Sequence, residues 1–353
     1  MMLSKSIAYV TNTMNRGLNL GHGLATGIGS MRRITTTTTK FSAKPWMNSN
    51  AIDLNHQLIQ KISTKEHSQS LSTQSTKSTY IASSIGLEET HDYRIQFMDI
   101  HKKQISPWHD IPLIASVDKD IDSNSSTDSK SISNNNINTN YNFICEIPAN
   151  TKLKMEISTT EVYNPIKQDI NKIGTLRSYH GPIYWNYGCL PQTWEDPTHF
   201  HPECECYGDN DPVDVVEVGS TPLASGSVTP IKILGGLALK DQGELDWKLI
   251  GIRSNDPLVR SNKAMGGDID RITDLESLER HYPHVISGIR EWFRWYKVPD
   301  NKPLNEYAYN GDVIGRDKAI EVVYETHEQW KQLIKSKSDS DSSKSNDLWT
   351  HSK

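Results

Sequence analysis

Three carboxylates lie within six residues in the segment Asp209-Asn210-Asp211-Pro212-Val213-Asp214, and a largely apolar run to Val218 follows. Like charges this close repel one another, so a folded chain tolerates them when cations lie among them. In an extended stretch Asp209 and Asp211 would share one face, and hard carboxylate oxygens are the ligands that Mg²⁺ prefers. The segment lacks the loop length and the final Glu of an EF-hand. It therefore predicts a magnesium site, and it raises the question of which anionic substrate the metal would hold.

The charges of this 353-residue chain are unevenly distributed. No Asp or Glu precedes Asp53, whereas six basic residues do. Excluding those six from the formal net charge of −5 leaves −11 for the rest of the chain, which argues against general nucleic-acid binding. The six are Lys5, Arg16, Arg32, Arg33, Lys40 and Lys44.

Residues 1–50 have the composition of a mitochondrial presequence, because they are basic, free of acidic residues and rich in Ser, Thr, Gly and Asn. The alternatives are a disordered basic tail and a secretory signal. A secretory signal is less favoured because the apolar stretch is short and broken by Asn and Gly. Residues 51–90 are polar and rich in Ser, Thr and Gln, which predicts a linker.

The body of the chain, residues 91–335, carries one low-complexity insertion and is followed by a low-complexity tail. Residues 118–142 consist almost wholly of Asp, Ser, Asn, Thr and Lys, and they predict a surface loop, since long insertions cost little closure entropy. Residues 336–353 predict a disordered tail. The hydrophobic content of 35% and the mean hydropathy of −0.61 fit unfolded segments beside a compact core.

The cysteine content and the lengths of the apolar runs argue against two further classes of protein, disulfide-stabilised scaffolds and integral membrane proteins. Four cysteines do not indicate a disulfide scaffold. No apolar run approaches the ~20 residues that a membrane-spanning helix needs, so no integral membrane segment is expected. The cysteines are Cys145, Cys189, Cys204 and Cys206.

Short strands separated by Gly and Pro turns dominate residues 143–251. Five such strands suit a small closed barrel. Two earlier segments, Tyr93–Met98 and Trp108–Leu113, are also expected to be extended. The five strand candidates are Phe143–Ile147, Leu153–Ile157, Val213–Val218, Ile231–Leu239 and Trp247–Ile252.

Helical periodicity appears after the strands. Thr273-Asp274-Leu275-Glu276 has the pattern of a capping box that opens a short helix. Two further helices are predicted by apolar residues at helical spacing. These residues are Ile286, Ile289, Phe293 and Tyr296 in one helix, and Ile320, Val323, His327, Trp330 and Ile334 in the other.

A predicted strand and a predicted hairpin carry further charged candidates. In Leu153–Ile157, Lys154 and Glu156 alternate with apolar residues and share a face, which is also the pattern of a solvated outer face. The segment Leu239–Lys248 predicts a hairpin around Gln242-Gly243.

The predicted hairpin would bring Asp241 and Asp246 close together, with Lys248 on the face of Asp246. The alternative is an ordinary soluble turn. Arg177 and the pair Tyr296-Lys297 are candidate contacts to an anion, because Arg and Lys match phosphate oxygens. Each of them alone is more typical of an ordinary surface residue.

A group of histidines and cysteines precedes the Asp209–Asp214 segment. The spacings His-x-His and Cys-x-Cys are tighter than those of common structural zinc sites. The sequence therefore favours a polar loop over a zinc site. The group consists of His199, His201, Cys204 and Cys206.

These motifs occur together and in the same order in one family. The chain resembles the soluble inorganic pyrophosphatases of family I, of the fungal and animal type and the mitochondrial form. Asp209–Asp214 matches that family's D-[SGDN]-D-[PE]-[LIVMF]-D signature, and the resemblance extends from about Asp92 to Lys335. The other matching motifs are Asn186-Tyr187-Gly188, Pro191–Pro197, Asp246-Trp247-Lys248 and Glu291–Lys297.

The resemblance implies a fold, an activity and a cellular role. The fold would be α+β and mainly β, with a five-stranded OB-like closed barrel and peripheral α-helices, and the protein would be a homodimer. The activity would be hydrolysis of inorganic pyrophosphate by direct attack of a metal-activated water, with several Mg²⁺ ions in each active site. Together with the presequence, it implies removal of pyrophosphate in the mitochondrial matrix.

The resemblance also implies a role for each site residue. Asp209, Asp214 and Asp246 would bind the most tightly held metals, and Asp241 and Glu156 would bind further ones. Asp211 would orient and deprotonate the attacking water. Phosphate oxygens would be bound by Arg177, Lys154, Tyr296 and Lys297, while Tyr187, Lys248 and Glu146 would support the cavity.

The chain departs from the family at one position. The family usually has a tyrosine four residues before the Tyr of Asn-Tyr-Gly, but here that place is taken by Ile183, with Tyr184 next to it. The rival functions are a barrel that binds oligonucleotides or sugars, a phosphohydrolase acting on phosphate esters, and an inactive homologue. A nucleic-acid-binding barrel would need a basic groove with exposed aromatic residues, whereas this body is acidic.

Overall fold

The computed structural model describes residues 79–116, 139–259, 271–339 and 347–350, all within one unit of the chain, Ser75–Lys353. Within these ranges the chain is mainly β with few helices, which confirms that part of the predicted fold class. The helices are α1 (Leu275–His281), α2 (Val285–Trp295) and α3 (Arg316–Asp339). The strands are β1 (Tyr80–Ile85), β2 (Arg94–Asp99), β3 (Gln104–Ile105), β4 (Tyr141–Ile147), β5 (Thr151–Leu153), β6 (Met155–Ile157), β7 (Ile166–Gln168), β8 (Ser178–Ile183), β9 (Asn186–Cys189), β10 (Phe200–His201), β11 (Cys206–Gly208), β12 (Asp214–Glu217), β13 (Val228–Asp241), β14 (Glu244–Arg253), β15 (Glu306–Tyr307) and β16 (Ile314–Gly315).

Five strands of the nine-stranded sheet pair in a closed cycle. Strands β14 and β12 pair in parallel. The antiparallel pairs β12–β9, β9–β4, β4–β13 and β13–β14 complete the cycle. Four of these strands correspond to predicted ones, and the fifth is β9 rather than Leu153–Ile157.

The segment Leu153–Ile157 is interrupted at Lys154 and therefore does not form the single strand predicted for it. Strand β5 pairs with β8, whereas β6 pairs with β7 in a separate five-stranded sheet. The Lys154 backbone lies between these two ladders, with its N–H donated to the Arg177 carbonyl at 3.2 Å. This change of partner brings Lys154 and Arg177 together.

Strand β4 is buried along its whole length because both of its faces pack against apolar side chains. Tyr141, Phe143 and Cys145 belong to one core cluster, and Ile144 belongs to the other. Helix α3 packs on the first cluster through residues such as Val323, and α2 packs on the second through Phe293 among others. Helix α3 also reaches the second cluster through Leu333, whereas the buried residues of α2 belong to the second cluster alone.

Strands β4 and β9 approach each other closely at Gly188. A Cβ atom at this position would lie 1.9 Å from the carbonyl oxygen of Ile144, so only glycine fits. The neighbouring Tyr187 is consequently fixed against β4 and β12, where it pairs with Val216.

The predicted hairpin around Gln242-Gly243 is present. Residues Gln242 (φ 55°) and Gly243 (φ 96°) form a two-residue turn with positive φ, as short hairpins favour. Asp241 pairs with Glu244, and Leu239 pairs with Asp246. The hairpin therefore presents Asp241 and Asp246 from two adjacent strands.

The two long helices predicted from apolar spacing are present as α2 and α3, and α1 has a capping box one position later than expected. Its N-cap is Asp274 rather than Thr273, and the reciprocal partner is Ser277 rather than Glu276. The Asp274 side chain accepts from the Ser277 N–H at 2.8 Å. Asp274 is among the favoured N-cap residues, so the helix still begins with a reciprocal capping box despite the shift of one position.

The segment Trp108–Leu113 is not extended, and the prediction of a strand there is wrong. Residues 107–111 form turns, with the Asp110 N–H donated to the Ser106 carbonyl at 2.9 Å. Trp108 is completely buried, and its indole N–H donates to the Thr193 carbonyl at 2.7 Å. The segment Trp108–Leu113 is therefore apolar because Trp108 is buried in the core, and not because the segment forms a strand.

Two predicted boundaries are wrong by several residues. Strand β1 pairs with β2 from Tyr80 onward, so the linker predicted for residues 51–90 does not extend to 90. Tyr141 and Asn142 are buried in β4, so the insertion predicted for residues 118–142 ends earlier. Residues 1–50, the rest of the linker and residues 117–138 lie outside the described residues.

The predicted tail, residues 336–353, is also partly structured. Helix α3 continues to Asp339. Leu348 is buried, and the Trp349 N–H donates to the Thr159 carbonyl at 2.8 Å. These contacts show that the segment 347–350 packs against the body of the protein.

The cysteines and the helices bear on the questions of disulfides and of membrane spans. All four cysteines are free and buried. Among the helices of the described residues, none combines the length and the apolar character that crossing a bilayer requires.

Candidate active site

An open cavity of about 680 Å³, solvent at its mouth included, gathers most of the predicted site residues. The predicted residues in its lining are Lys154, Arg177, Tyr187, Asp209, Asp211, Asp214, Asp241, Asp246, Lys248, Tyr296 and Lys297. Of the other two, Glu156 accepts a hydrogen bond from Lys154 Nζ at 2.5 Å, and Glu146 is buried and accepts from the Ile157 N–H at 2.7 Å.

The Asp209–Asp214 segment bends at Asn210 and Asp211 and becomes extended only at Asp214, where β12 begins, rather than being extended throughout as assumed from its sequence. Asn210 has a φ of 76°, a left-handed conformation that Asn tolerates better than most residues. The Trp194 indole donates to Asn210 Oδ1 at 3.0 Å, and the Asn210 N–H donates to the Glu195 carbonyl at 2.9 Å. The bend still presents Asp209 and Asp211 to the cavity, because these hydrogen bonds to Trp194 and Glu195 hold it in place.

Glu195, Asp209 and Asp246 form an acidic cluster at the cavity. One carboxylate oxygen from each lies within 4.8 Å of the others. Glu195 Oε1 accepts from the Trp247 N–H at 3.0 Å, which ties the cluster to β14. Three carboxylates at this separation repel one another unless protons or cations lie between them.

Three carboxyl groups that line the cavity have raised pKa values. Burial, followed by the charge of Glu156, raises the pKa of Asp211 to about 7. Burial also raises the pKa of Asp246 to about 7, against the opposing charge of Lys248. Burial and the charge of Asp246 raise the pKa of Asp209 well above its ordinary value. Without cations, the cavity therefore favours protonated carboxyl groups near neutral pH.

Lys248 bridges two of the aspartates. Its Nζ donates to Asp214 Oδ2 at 2.5 Å, to Tyr187 Oη at 2.9 Å and also to Asp246 Oδ1. The Tyr187 hydroxyl donates to Asp214 as well. Burial alone would lower the pKa of Lys248, but Asp214 and Asp246 raise it well above its ordinary value. Lys248 is therefore a fixed positive charge inside the acidic wall.

Asp241 binds the two residues that follow α2. The Tyr296 hydroxyl donates to Asp241 Oδ2 at 3.0 Å, and Lys297 Nζ donates to the same oxygen. Burial lowers the pKa of Lys297, although Asp241 opposes this. Tyr296 and Lys297, which follow the end of α2, therefore lie beside the hairpin. Both side chains can bind an anion there.

Lys154 and Arg177 converge on Asp169, a residue that the sequence did not single out. Lys154 Nζ lies 2.7 Å from Asp169 Oδ2, and Arg177 Nη1 lies 2.5 Å from the same oxygen. The Asp169 backbone also pairs with both residues, at 2.8 Å to each. Asp169 therefore positions the two basic side chains beside the cavity.

The donors at this cavity fit divalent cations. Carboxylate oxygens suit Mg²⁺. Glu195 Oε2 and Asp241 Oδ1 are buried and have no hydrogen-bond partner within the described ranges. Buried polar atoms without a partner are costly, and a cation among these carboxylates would remove part of that cost.

The family model described as inorganic pyrophosphatase matches residues 143–331, which is more than half of the chain and includes most of the residues described above. The chain belongs to the inorganic pyrophosphatase family.

Individual pyrophosphatases show the same relationship. The chain is 43% identical over 251 residues to the soluble inorganic pyrophosphatase 6, chloroplastic, of Arabidopsis thaliana, covering 71% of this chain and 73% of the relative. It is 41% identical over 267 residues to the inorganic pyrophosphatase 2, mitochondrial, of Mus musculus, covering 74% and 76%. It is also similar to the solved structure of a truncated vacuolar soluble pyrophosphatase of Trypanosoma cruzi in complex with PPi, with a TM-score of 0.61, 38% identity, and coverage of 72% of this chain and 91% of that one.

Tyr179 lines the cavity of this pyrophosphatase, whereas the two residues at the position of the expected family tyrosine do not. Ile183 is completely buried in the core, and Tyr184 is 59% exposed, with its ring against Trp185. Tyr179 is 8% exposed and packs edge-on against Trp292, with ring centroids 4.9 Å apart. Tyr179 is therefore part of the cavity wall.

Sequence reasoning missed Asp169, Tyr179 and Glu195. Tyr179 follows Arg177 by two residues, so the alternation of an extended chain was an available signal. Glu195 lies within the matched motif Pro191–Pro197, so membership of that motif was an available signal for this residue. Asp169 had no local signal, since its partners come from two other segments.

Proposed function

We propose that this protein hydrolyses inorganic pyrophosphate to two phosphates by direct attack of water, with Mg²⁺ ions bound by the Asp and Glu side chains of the cavity. The observation that carries the proposal is that Asp209 and Asp246 of the acidic cluster line the same cavity as Lys154, Arg177 and Lys297 in a member of this family. Pyrophosphate is an anion that needs both sets of groups. The solved relative bound to PPi supports the choice of substrate.

Asp209, Asp214 and Asp246 would hold the most tightly bound ions, and Asp241 and Glu156 would hold further ones. All except Glu156 line the cavity. When bound, Mg²⁺ neutralises charge on the substrate and makes a bound water more acidic. Lys248 and Tyr187 hold Asp214 in a defined orientation through their hydrogen bonds.

Asp211 would orient the attacking water and accept its proton. It lines the cavity, and no basic side chain in the described part of the chain forms an ion pair with it. Asp214, Asp241 and Asp246, in contrast, each bind a lysine. Asp209 forms no ion pair with a lysine among the described residues either, but it belongs to the acidic cluster proposed to bind metal, which leaves Asp211 as the aspartate of the segment available to accept a proton at its carboxylate.

The basic groups and Tyr296 would bind the phosphate oxygens. Arg177 can offer two N–H groups to one phosphate, and Lys154 and Lys297 act as point charges. In the structure these cations pair with Asp169 and Asp241. Substrate oxygens would compete for the same donors, and they would stabilise the leaving phosphate in the transition state. Glu146 would support the cavity by holding the Ile157 N–H.

Tyr179 would take the role of the tyrosine that the family usually places where this chain has Ile183. It lines the cavity together with Lys154 and Arg177 and packs against Tyr296, with ring centroids 5.9 Å apart. A hydroxyl at this position can donate a hydrogen bond to a phosphate oxygen. The chain would thus supply the same chemical group from a different position.

We also propose that the five paired strands form the OB-like closed barrel typical of the family and that the protein is a homodimer in the mitochondrial matrix. The closed cycle of strand pairs supports the barrel, and the mitochondrial mouse relative supports the location. Sedimentation equilibrium should give about twice the chain mass of 39.9 kDa. Matrix targeting of a tagged chain without residues 1–50 would contradict the presequence.

Phosphate release tests the activity directly. The purified chain should release phosphate from magnesium pyrophosphate much faster than from ATP or p-nitrophenyl phosphate, and a chelator should abolish the release. Preference for a phosphate ester would support a different phosphohydrolase. The absence of hydrolysis with saturating magnesium would support an inactive homologue or a binding barrel.

A further inference from the structure

We propose that His199, His201 and Glu325 form a second metal site, on the outside of the protein, for a transition ion of the zinc type. One ligand atom from each of the three residues lies within 4.8 Å of the others. His199 Nε2 is 3.0 Å from Glu325 Oε1, and His201 Nδ1 is 3.9 Å from the same oxygen. The site does not depend on the activity proposed above.

The two histidines are placed by the hairpin of β10 and β11. His201 pairs with Cys206 across the hairpin, and residues two apart in an extended strand share a face. The two imidazole rings accordingly lie next to each other, with centroids 4.7 Å apart. The hairpin therefore presents two nitrogen ligands to the same point.

Glu325 comes from α3, and other contacts fix its position relative to the hairpin. The Trp194 N–H donates to the Thr326 carbonyl at 3.0 Å, and the Asp196 N–H donates to Gln329 Oε1 at 3.0 Å. Since these bonds already join α3 to the chain entering the hairpin, the three ligands need little rearrangement to bind an ion.

The donor set distinguishes this site from the acidic cavity. Two imidazoles and one carboxylate are typical of zinc sites that keep a fourth position for water, whereas Mg²⁺ prefers oxygen ligands alone. The side chains of His199 and Glu325 are 44% and 42% exposed, so an ion can reach them from solvent. Cys204 and Cys206 are buried and do not take part in the cluster.

The alternative is a surface ion pair between a histidine and Glu325. Such a pair needs only one histidine and contributes little to stability. His180 and Asp300 provide an example elsewhere on the surface, with 2.8 Å between His180 Nε2 and Asp300 Oδ1. In the His199 site, two histidines converge on one carboxylate oxygen, which an ion pair does not require.

Zinc titration calorimetry of the full chain, with saturating Mg²⁺ present to occupy the acidic cavity, tests the proposal. The wild type should bind one more equivalent of Zn²⁺ than the double variant His199→Gln/His201→Gln. Glu325→Gln should weaken that equivalent at least tenfold, and His180→Gln should leave it unchanged. The visible absorption of Co²⁺ bound in place of Zn²⁺ should show the same differences.

The pyrophosphate hydrolysis rate and the far-UV circular dichroism of these variants should match those of the wild type, since none of the residues lies in the cavity. Equal numbers of zinc equivalents in the wild type and in both His199 site variants would overturn the proposal. It would then follow that the cluster is only a surface ion pair.

Discussion

Two groups of charged side chains in this protein are arranged in opposite ways. In the Glu161 cluster, Arg94 contacts both carboxylate oxygens of Glu161 at 2.7 and 3.0 Å, and Lys167 Nζ contacts one at 3.0 Å. Two basic groups thus surround one acid. At the acidic cluster of Glu195, Asp209 and Asp246, carboxylates instead face one another.

The pKa shifts follow this difference. Partial burial by itself would raise the pKa of Glu161, but the hydrogen bonds and charges of Arg94 and Lys167 outweigh this effect and lower it. At the acidic cluster, burial and the charge of Asp209 raise the pKa of Glu195 well above its ordinary value. The first arrangement stabilises the fold by itself. The second is unfavourable unless cations are bound, and this is expected of a site whose function is to bind them.

The substitution Asp211→Asn should have the largest effect, because it removes the proposed proton acceptor and leaves the fold intact. We expect the turnover number for pyrophosphate to fall by about 10²–10⁴-fold, with Mg²⁺ binding largely retained. A steady-state phosphate assay measures this. Asp312→Asn, at an exposed position outside the cavity, is the matched control and should be fully active.

Replacing Arg177 by Ala should raise the barrier by about 2–4 kcal/mol, as expected for a lost transition-state donor. The control is Arg94→Ala, which removes an arginine from the Glu161 cluster. It should lower the free energy of unfolding and leave kcat/KM unchanged. A loss below about 1 kcal/mol for Arg177→Ala would place this side chain outside substrate contact.

Tyr179→Phe removes one hydroxyl from the cavity and should lower kcat/KM by about tenfold, since one hydrogen bond to a charged group is lost. Tyr184→Phe, at the exposed tyrosine next to Ile183, should have no effect. If the two variants behaved in the reverse way, Tyr184 would have to be the replacement for the missing family tyrosine.

The smallest effect is expected for Glu161→Gln. Because the folded-state pKa of Glu161 is lowered, its contribution is present above the unfolded pKa of about 4.3 and is lost as the pH falls through the folded value. Allowing for solvent screening, the variant should lose about 0.5 kcal/mol of unfolding free energy at pH 7. Urea unfolding at a series of pH values from 7 downward measures this, and a difference that did not shrink as the pH fell below about 4.3 would contradict the ion-pair explanation.

The sequence predicted those parts of the site that depend on local pattern. The hairpin was predictable because Gln242-Gly243 is a turn signal between two segments with the alternation of a strand. The metal-binding role of the Asp209–Asp214 segment could be suggested because its three carboxylates lie close together in the sequence. The left-handed turn at Asn210 was not predicted, since it depends on contacts to Trp194 and Glu195.

Long-range pairing accounts for the other differences. Lys154 and Arg177 meet at Asp169 only because the chain changes partner between β5 and β6. Ile183 turned out to be a core residue, whereas Tyr179, four positions earlier, lines the cavity. Neither arrangement follows from the periodicity of a single segment.

The central claim is that the carboxylates of the cavity are held close together in order to bind divalent cations. Calorimetric titration of the metal-free protein with Mg²⁺ tests this most directly, with Asp209→Asn compared with Asp312→Asn. We predict that the wild type and Asp312→Asn bind more than one Mg²⁺ ion per chain and that Asp209→Asn loses the tightest one. Equal Mg²⁺ binding by all three proteins, or no binding by the wild type, would contradict the claim.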